Sequence, residues 1–483
     1  MDSILSLILF PLFFALLIAF LNKKYAAGIA LTGSGLSLFY FLYLLSGFKN
    51  SLKVLNEFSI PWIPGIEAEL HFGLDSLSIF MLLLTCLVFP IGILASMKYE
   101  EHRSKSYYIL LLIGLTALLG FFSAQNDITF YVFFELALIP FYFIILMYGG
   151  SNRKKAVFKF LMFTVFGSFL MLAAIIYFHS LTGINKTSDW AMLYDMEISL
   201  SAQTWILAGI FIAFAIKSPL FPFHTWQADL YSEGDRPTII IIAAVLSKMG
   251  LFGLLRFFNV VDDAILHYQM PLIILCLIGI IYAALVAWRQ SSMSRLLAYS
   301  SLSHMGMIAA GILTASISGL QGSIFQMLSH GIVAAGLFFI VDLIMFRTNN
   351  SSIYGSAGIA STQPKLATYF FLLCLASVGL PLTSGFIGEF DILLGLANTN
   401  IYLSAIAGLS LIFGAIYTLR FYQKSMFGEM IESNNEWAPI TLNEDYVLII
   451  LVILVLAFGF FPSSWLDLAD QATASFVHLK SKI

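Results

Sequence analysis

Charge is scarce in this sequence. Of its 483 residues, 11% are Asp, Glu, Lys or Arg, whereas a soluble domain carries roughly a quarter. The charged stretches are short and separated by apolar runs, so no soluble domain large enough to hold chemistry of its own is expected. Cysteine is scarcer still. Cys86, Cys276 and Cys374 each lie in an apolar run without a CxxC pattern, and they read as packing residues that say nothing of redox compartment. There is no GxGxxG after a strand, no P-loop and no HExxH, so no motif for a nucleotide or an iron–sulfur centre is present. No cofactor and no metal are expected in this chain, and redox energy must come from elsewhere. The start, Met1-Asp2-Ser3-Ile4, lacks a basic n-region and a small-residue cleavage site, so the first apolar run is read as a retained span.

What the chain does have is apolar length. It is 60% hydrophobic, with a mean hydropathy of +0.92. A span needs about 20 mostly apolar residues, and continuously apolar runs of that length are helices. On that template spans fall near 3–21, 27–48, 75–97, 107–125, 128–149, 155–181, 202–222, 237–258, 270–289, 298–314, 317–345, 364–395, 401–427 and 444–465. The expected fold is therefore all-α and polytopic, with about fourteen transmembrane helices.

Basic residues set the expected orientation. Loops after odd-numbered spans carry fourteen of them, from Lys23 and Lys24 to Lys365 and Lys424. Loops after even-numbered spans and the tail carry five: Lys49, Lys53, Lys186, Lys480 and Lys482. The positive-inside rule then places both termini on the outer side of a cell (inner) membrane.

Two spans are interrupted alike. The seventh runs Lys217-Ser218-Pro219-Leu220-Phe221-Pro222-Phe223-His224, and the twelfth runs Gly379-Leu380-Pro381-Leu382-Thr383-Ser384-Gly385 on the way to Glu389. Proline removes a backbone donor, and irregular backbone at membrane depth is tolerated only inside protein or beside a cavity. Each broken span is fourth in a group of five, which predicts two inverted five-helix repeats at 107–258 (helices 4–8) and 259–430 (helices 9–13). Residues 1–106 (helices 1–3) precede them, and helix 14 with its tail, 431–483, follows. Paired broken helices in inverted repeats point to a transport site.

Ionisable residues inside the spans carry the chemistry. A charge at the bilayer centre costs roughly 2.5–3.5 kcal/mol on insertion scales, so such residues face a partner or a wet cavity. Lys248 falls eleven residues beyond Pro237, about 17 Å along a helix and too deep to snorkel easily. Lys217 stands beside the first break. Glu135 is read as its carboxylate partner, or as a protonated carboxyl satisfied by a backbone carbonyl; Glu389 has a similar plain alternative, weakened by its place beside the second break. Structural ion pairs are the plain alternative for both lysines. His330, mid-span, suits proton transfer near neutrality, with a satisfied core histidine as the alternative. His304, nearer the cytoplasmic edge, and His224, just past the first break, rank below it. Lys159, Arg256 and Arg420 are read as snorkelling residues, Asp342 with Arg347 as a local end-of-helix pair, and Asp75 as a helix cap.

Several stretches together are highly specific. They include Gly73-Leu74-Asp75-Ser76-Leu77-Ser78, Phe133-Phe134-Glu135-Leu136, Lys217-Ser218-Pro219, Pro222-Phe223-His224-Thr225-Trp226 and Lys248-Met249-Gly250. Further along come Ser303-His304-Met305-Gly306, Ser329-His330-Gly331 and Gly385-Phe386-Ile387-Gly388-Glu389-Phe390. In these, from about residue 70 to 430, the chain resembles the antiporter-like subunits of respiratory complex I, NADH–quinone oxidoreductase, and most of all their M-type branch, chain 4 in mitochondria. The resemblance implies a proton channel through Glu135, Lys217, Lys248 and Glu389 with His330 as central relay. A glutamate at 389 is similar to the M type, where related subunits usually carry lysine. It further implies membership of a quinone-reducing translocase, with L-like and N-like membrane subunits as partners and no nucleic acid. A subunit of a multisubunit Na+/H+ antiporter or of a membrane-bound hydrogenase is the alternative. One stretch departs from the pattern. Where the family continues Leu-Pro-Asp-Ala-His and then Glu-Ala-Pro, this chain has Gln227-Ala228-Asp229-Leu230-Tyr231 and then Glu233-Gly234-Asp235-Arg236-Pro237.

Overall fold

The computed structural model describes residues 3–48, 54–63, 68–181, 189–355, 357–429 and 438–474. The five lysines on the sparse side of the charge comparison, Lys49, Lys53, Lys186, Lys480 and Lys482, lie outside the described residues. The chain opens with α1 (Ile4–Phe20) and α2 (Ala26–Ser46), followed by two strands, β1 (Leu55–Ile63) and β2 (Ala68–Leu74). Next come α3 (Ser76–Met97), α4 (Lys105–Ser123), α5 (Asp127–Leu136), α6 (Leu138–Tyr148), α7 (Arg153–Leu181) and the short α8 (Trp190–Tyr194). The first broken region comprises α9 (Leu200–Lys217), α10 (Thr225–Glu233), α11 (Arg236–Ala244) and α12 (Met249–Arg256). After α13 (Asp262–His267) come α14 (Gln269–Arg289), α15 (Met293–Leu313) and α16 (Ile317–Thr348). The remainder is α17 (Ile359–Thr362), α18 (Pro364–Ser377), α19 (Ser384–Thr399), α20 (Ile401–Met426), α21 (Leu442–Phe460) and α22 (Ser463–Ala474).

Among the described residues twelve helices are long and apolar enough to cross a membrane, counting α5–α6 and α11–α12 as one each. Two shorter apolar helices, α1 and α18, stand beside them. The α11–α12 segment and α16 are the most enclosed, while α7 and α20 keep much apolar surface on the outside, as lipid-facing helices do. The two breaks read from proline fall where expected, between Lys217 and Thr225 and between Ser377 and Ser384. Gly379 and Leu382 take φ of +67° and +76° in the second break. For leucine that conformation costs on the order of 1–3 kcal/mol, a strain typical of functional sites.

The purely helical expectation needs one correction. β1 and β2 form an antiparallel hairpin with Phe58 opposite Phe72 and Ile60 opposite Leu70. Its sequence, Leu55-Asn56-Glu57-Phe58-Ser59-Ile60, alternates apolar and polar side chains in part, which a search for 20-residue apolar runs passes over. It rests on the start of α5, where Thr129 Oγ1 donates to Glu69 O and Asn126 Nδ2 to the same carbonyl. The last span also ends earlier than read, at Phe460, and the separate helix α22 follows.

The charges at helix ends are more tightly paired than the sequence shows. Asp75 caps α3 through a capping box with Ser78, as read. It also pairs at 2.6 Å with Arg256, which is buried rather than snorkelling. Burial alone would push the Asp75 carboxyl up, yet Arg256 holds it below its ordinary value. Lys159 reaches Asp229 at 2.8 Å, and Arg420 donates to Trp288 O and Tyr354 Oη. Asp342 does not pair with Arg347. It meets Lys98 at 2.6 Å, the Tyr99 hydroxyl at 2.7 Å and Arg236 at 3.7 Å, while Arg347 takes Glu444 at 2.5 Å. Helix direction explains the exchange: residues five apart are not stacked on one face. The cysteines are buried and unpaired.

Candidate functional site

The first break is clamped to the neighbouring helix by one hydroxyl. Ser218 Oγ donates to Ser247 O at 2.6 Å and accepts from Leu251 N at 2.9 Å. Those two backbone groups are four residues apart and would bond each other in a regular helix. The serine is thus inserted into the ladder of the α11–α12 segment, a recognised cause of helix distortion. A 3-10 turn, Leu246–Lys248, sits at that place. The approach needs a glycine at 250, since a Cβ there would stand 2.3 Å from Phe214 O and 2.5 Å from Ser218 Oγ.

Lys217 and Lys248 flank this splice, 2% and 0% exposed. Lys217 Nζ lies 4.4 Å from the centroid of the Phe134 ring. Glu135, partly buried one residue further along α5, is within electrostatic reach of it, but the two make no direct ion pair. The pairing read from sequence is therefore open in this state. Lys248 Nζ donates to Ala243 O at 2.8 Å and Ser247 Oγ at 3.3 Å, both on its own distorted helix. Its charge has no carboxylate partner, and His330 is the next ionisable group within its field.

Around His330 the second cluster forms. The ring centroids of His330 and His304 are 5.2 Å apart at an interplanar angle of 40°. His304 Nδ1 lies 3.1 Å from Glu389 Oε1, which also accepts from Gln326 Nε2 at 3.2 Å. Glu389 is 2% exposed and its Oε2 has no partner; it faces Gly379 in the second break, where a Cβ would stand 2.3 Å away. Ser329 donates to Ser384 at 2.8 Å, tying α16 to the start of α19. His304 is not near an edge as read. Its helix starts at Met293, five residues earlier than expected, which puts it mid-helix between His330 and Glu389.

His224 stands apart. Its ring lies against Phe221, Tyr282 and Tyr299, with both nitrogens buried and unpartnered. The sequence reading missed Asp391, a carboxylate within α19 two residues beyond Glu389 and packed at Gly322. Its rarity at membrane depth was the signal available. It also missed Gln326, whose amide orients Glu389. Among the described residues no group of three or more His, Cys, Asp or Glu side chains could hold a metal ion.

A row of enclosed ionisable residues running between two broken helices is the construction of ion-translocating, antiporter-like membrane subunits. The chain belongs to the NADH:quinone oxidoreductase/Mrp antiporter transmembrane family, whose pattern matches residues 124–413; residues 4–122 match the amino terminus of NADH-ubiquinone oxidoreductase chain 4. It is 38% identical to NADH-quinone oxidoreductase subunit M of Rickettsia bellii, over 91% of this chain and 89% of that one. With subunit M of Rhodobacter capsulatus it shares 34% identity over 99% and 97% of the two chains. A chain of respiratory complex I from Thermus thermophilus with bound NADH superposes with a TM-score of 0.91 at 32% identity, covering 99% of each.

Proposed function

We propose that this chain is the M-type proton-translocating subunit of an NADH:quinone oxidoreductase, and that Glu135, Lys217, Lys248, His330, His304 and Glu389 pass protons through it in that order. The observation that carries the reading is the contact chain His330–His304–Glu389 at the second break, reached from two buried lysines that have no direct ion pair at the first. A buried cation without a direct carboxylate is costly to keep for packing alone. Lys217 loads while Glu135 is near and releases towards Lys248 when the two separate, and the proton moves on to Glu389. His224 belongs to the margin of this path. Quinone reduction elsewhere in the complex supplies the energy, and the chain itself contributes no redox centre.

The architecture that fits is fourteen spans, with α5–α6, α9–α10, α11–α12 and α18–α19 each counted once. Two inverted five-helix repeats occupy 107–258 and 259–430, between 1–106 and 431–483. The basic loops face the cytoplasm, both termini face outward, and L-like and N-like subunits are the neighbours. The test is Lys217→Ala in the assembled complex, reading quinone-dependent NADH oxidation and proton uptake by inverted membrane vesicles together. Proton uptake should be lost while assembly persists; uptake at the parental rate would overturn the scheme.

A further inference from the structure

Five cations lie over aromatic rings among the described residues, and four of them also hold a carboxylate. Lys98 and Arg236 pair with Asp342, Arg103 with Asp235 and Arg256 with Asp75. Lys217 has a ring and no direct ion pair. Its ammonium stands 4.4 Å over the centroid of Phe134, well inside the roughly 6 Å at which the negative face of a ring attracts a cation. Lys217 and Phe134 are only 2% and 1% exposed, so water screens the attraction little. Lys217 also closes α9, where the carbonyl end of the helix favours positive charge.

The ring is not free to leave. Phe134 stacks on Phe130 at 6.3 Å and 23°, and meets Phe121 at 5.9 Å and Phe214 at 6.4 Å. Phe214 precedes Lys217 by three residues and so shares its face of α9. It is lodged in turn on Gly253, where a Cβ would stand 2.5 Å from its ring. The lysine, by contrast, ends a flexible four-carbon stem. Glu135 follows Phe134 directly on α5, about 100° further round the helix. One helix thus carries a fixed aromatic face for this ammonium and, beside it, a carboxylate.

We propose that Phe134 is the seat of the Lys217 ammonium whenever Glu135 is withdrawn, and that the ring sets how tightly the separated lysine keeps its proton. The step rests on the pumping role assigned above and deepens it. No bond is made or broken at the ring. It stabilises the charged amine and not the neutral one, so a lysine parted from Glu135 holds its proton in one place until the N–H bond breaks towards Lys248. Without the ring the opened pair would shed that proton early, before the onward path is set. Phe134 is therefore a positioning residue, and the step requires its aromatic face rather than its bulk.

The test uses the intact complex in inverted membrane vesicles, with Lys217→Ala beside Phe134→Leu and chains in which Phe134 is replaced by its difluoro and trifluoro analogues. Fluorine drains the negative face of the ring and leaves its shape nearly unchanged. Proton uptake per NADH oxidised is followed from about pH 6 to 10, a range that approaches the ordinary lysine value. Lys217→Ala should abolish uptake; parental uptake there would sink the pumping role and this step with it. With Lys217→Ala inactive, Phe134→Leu should lower the proton affinity of the separated lysine about thirtyfold, the worth of one desolvated cation–ring contact. The alkaline limb of the uptake profile then moves about 1.5 pH units towards acid. The fluorinated rings should move it the same way, the trifluoro ring further than the difluoro, and they decide the matter if Phe134→Leu does not assemble. An alkaline limb that stays put through the fluorinated series would overturn the seat and leave the pumping role standing.

Discussion

Ser218→Ala isolates the splice between the two helices that carry the lysines. The substitution removes two hydrogen bonds, 2.6 Å to Ser247 O and 2.9 Å from Leu251 N, in a fully buried place. At about 0.5–1.5 kcal/mol each, the loss is about 1–3 kcal/mol if nothing relaxes. The two orphaned groups can instead bond each other, which regularises the α11–α12 segment and recovers part of that energy. Either way the 3-10 turn at Leu246–Lys248 loses its cause, and the lysine that now donates to Ala243 O turns with the backbone. A displacement of about 1 Å at a proton-transfer group is enough for about a hundredfold loss of rate. Proton uptake by vesicles, normalised to assembled complex, should fall by that order while stability falls only modestly. Amide exchange at Leu251 reports the rearrangement directly. Parental uptake together with unchanged exchange at Leu251 would refute the claim that the hydroxyl sets the helix geometry.

Three further substitutions probe the surroundings. Asp342→Asn removes the carboxylate that Lys98, Arg236 and the Tyr99 hydroxyl share, leaving a largely buried ammonium without its counter-charge. It should destabilise the chain by about 3 kcal/mol, seen as loss of assembled complex on heating, and Lys98→Met should restore part of it. His71 of the hairpin lies 3.1 Å from Asp189 and 3.4 Å from Glu57, and its contact with Asp189 raises its pKa above 6.5 against the lowering effect of burial. A raised value means the stabilisation is complete below about 6.5 and lost as pH rises through the shifted value. Protease cleavage in the hairpin should therefore accelerate as pH climbs from about 6.5, and His71→Ala should flatten that dependence.

Much of the candidate site was legible because a membrane span makes charge conspicuous. Lys217, Lys248, Glu135 and Glu389 stand out only against apolar surroundings, and prolines 219, 222 and 381 mark the breaks locally. What escaped is what distant residues impose. The turn at Lys248 comes from the Ser218 hydroxyl, 29 residues upstream of the Ser247 carbonyl it bonds, and nothing in Leu246-Ser247-Lys248 announces it. Arg256 read as snorkelling because Asp75, its partner, lies on another helix. His304 read as peripheral because its helix gains more than a turn at its polar start, Met293-Ser294-Arg295, where hydropathy is low. The hairpin escaped for the opposite reason, since its pattern is local but too short for a rule tuned to spans.

The length of α16 has a mechanical consequence. Its 32 residues contain no proline, and of that unbroken helix about 18 Å separates Asp342 from His330 and about 24 Å separates it from Gln326. A rod of that kind transmits rather than absorbs. Lys98 and Arg236, through Asp342, thus share one unbroken shaft with the imidazole of His330.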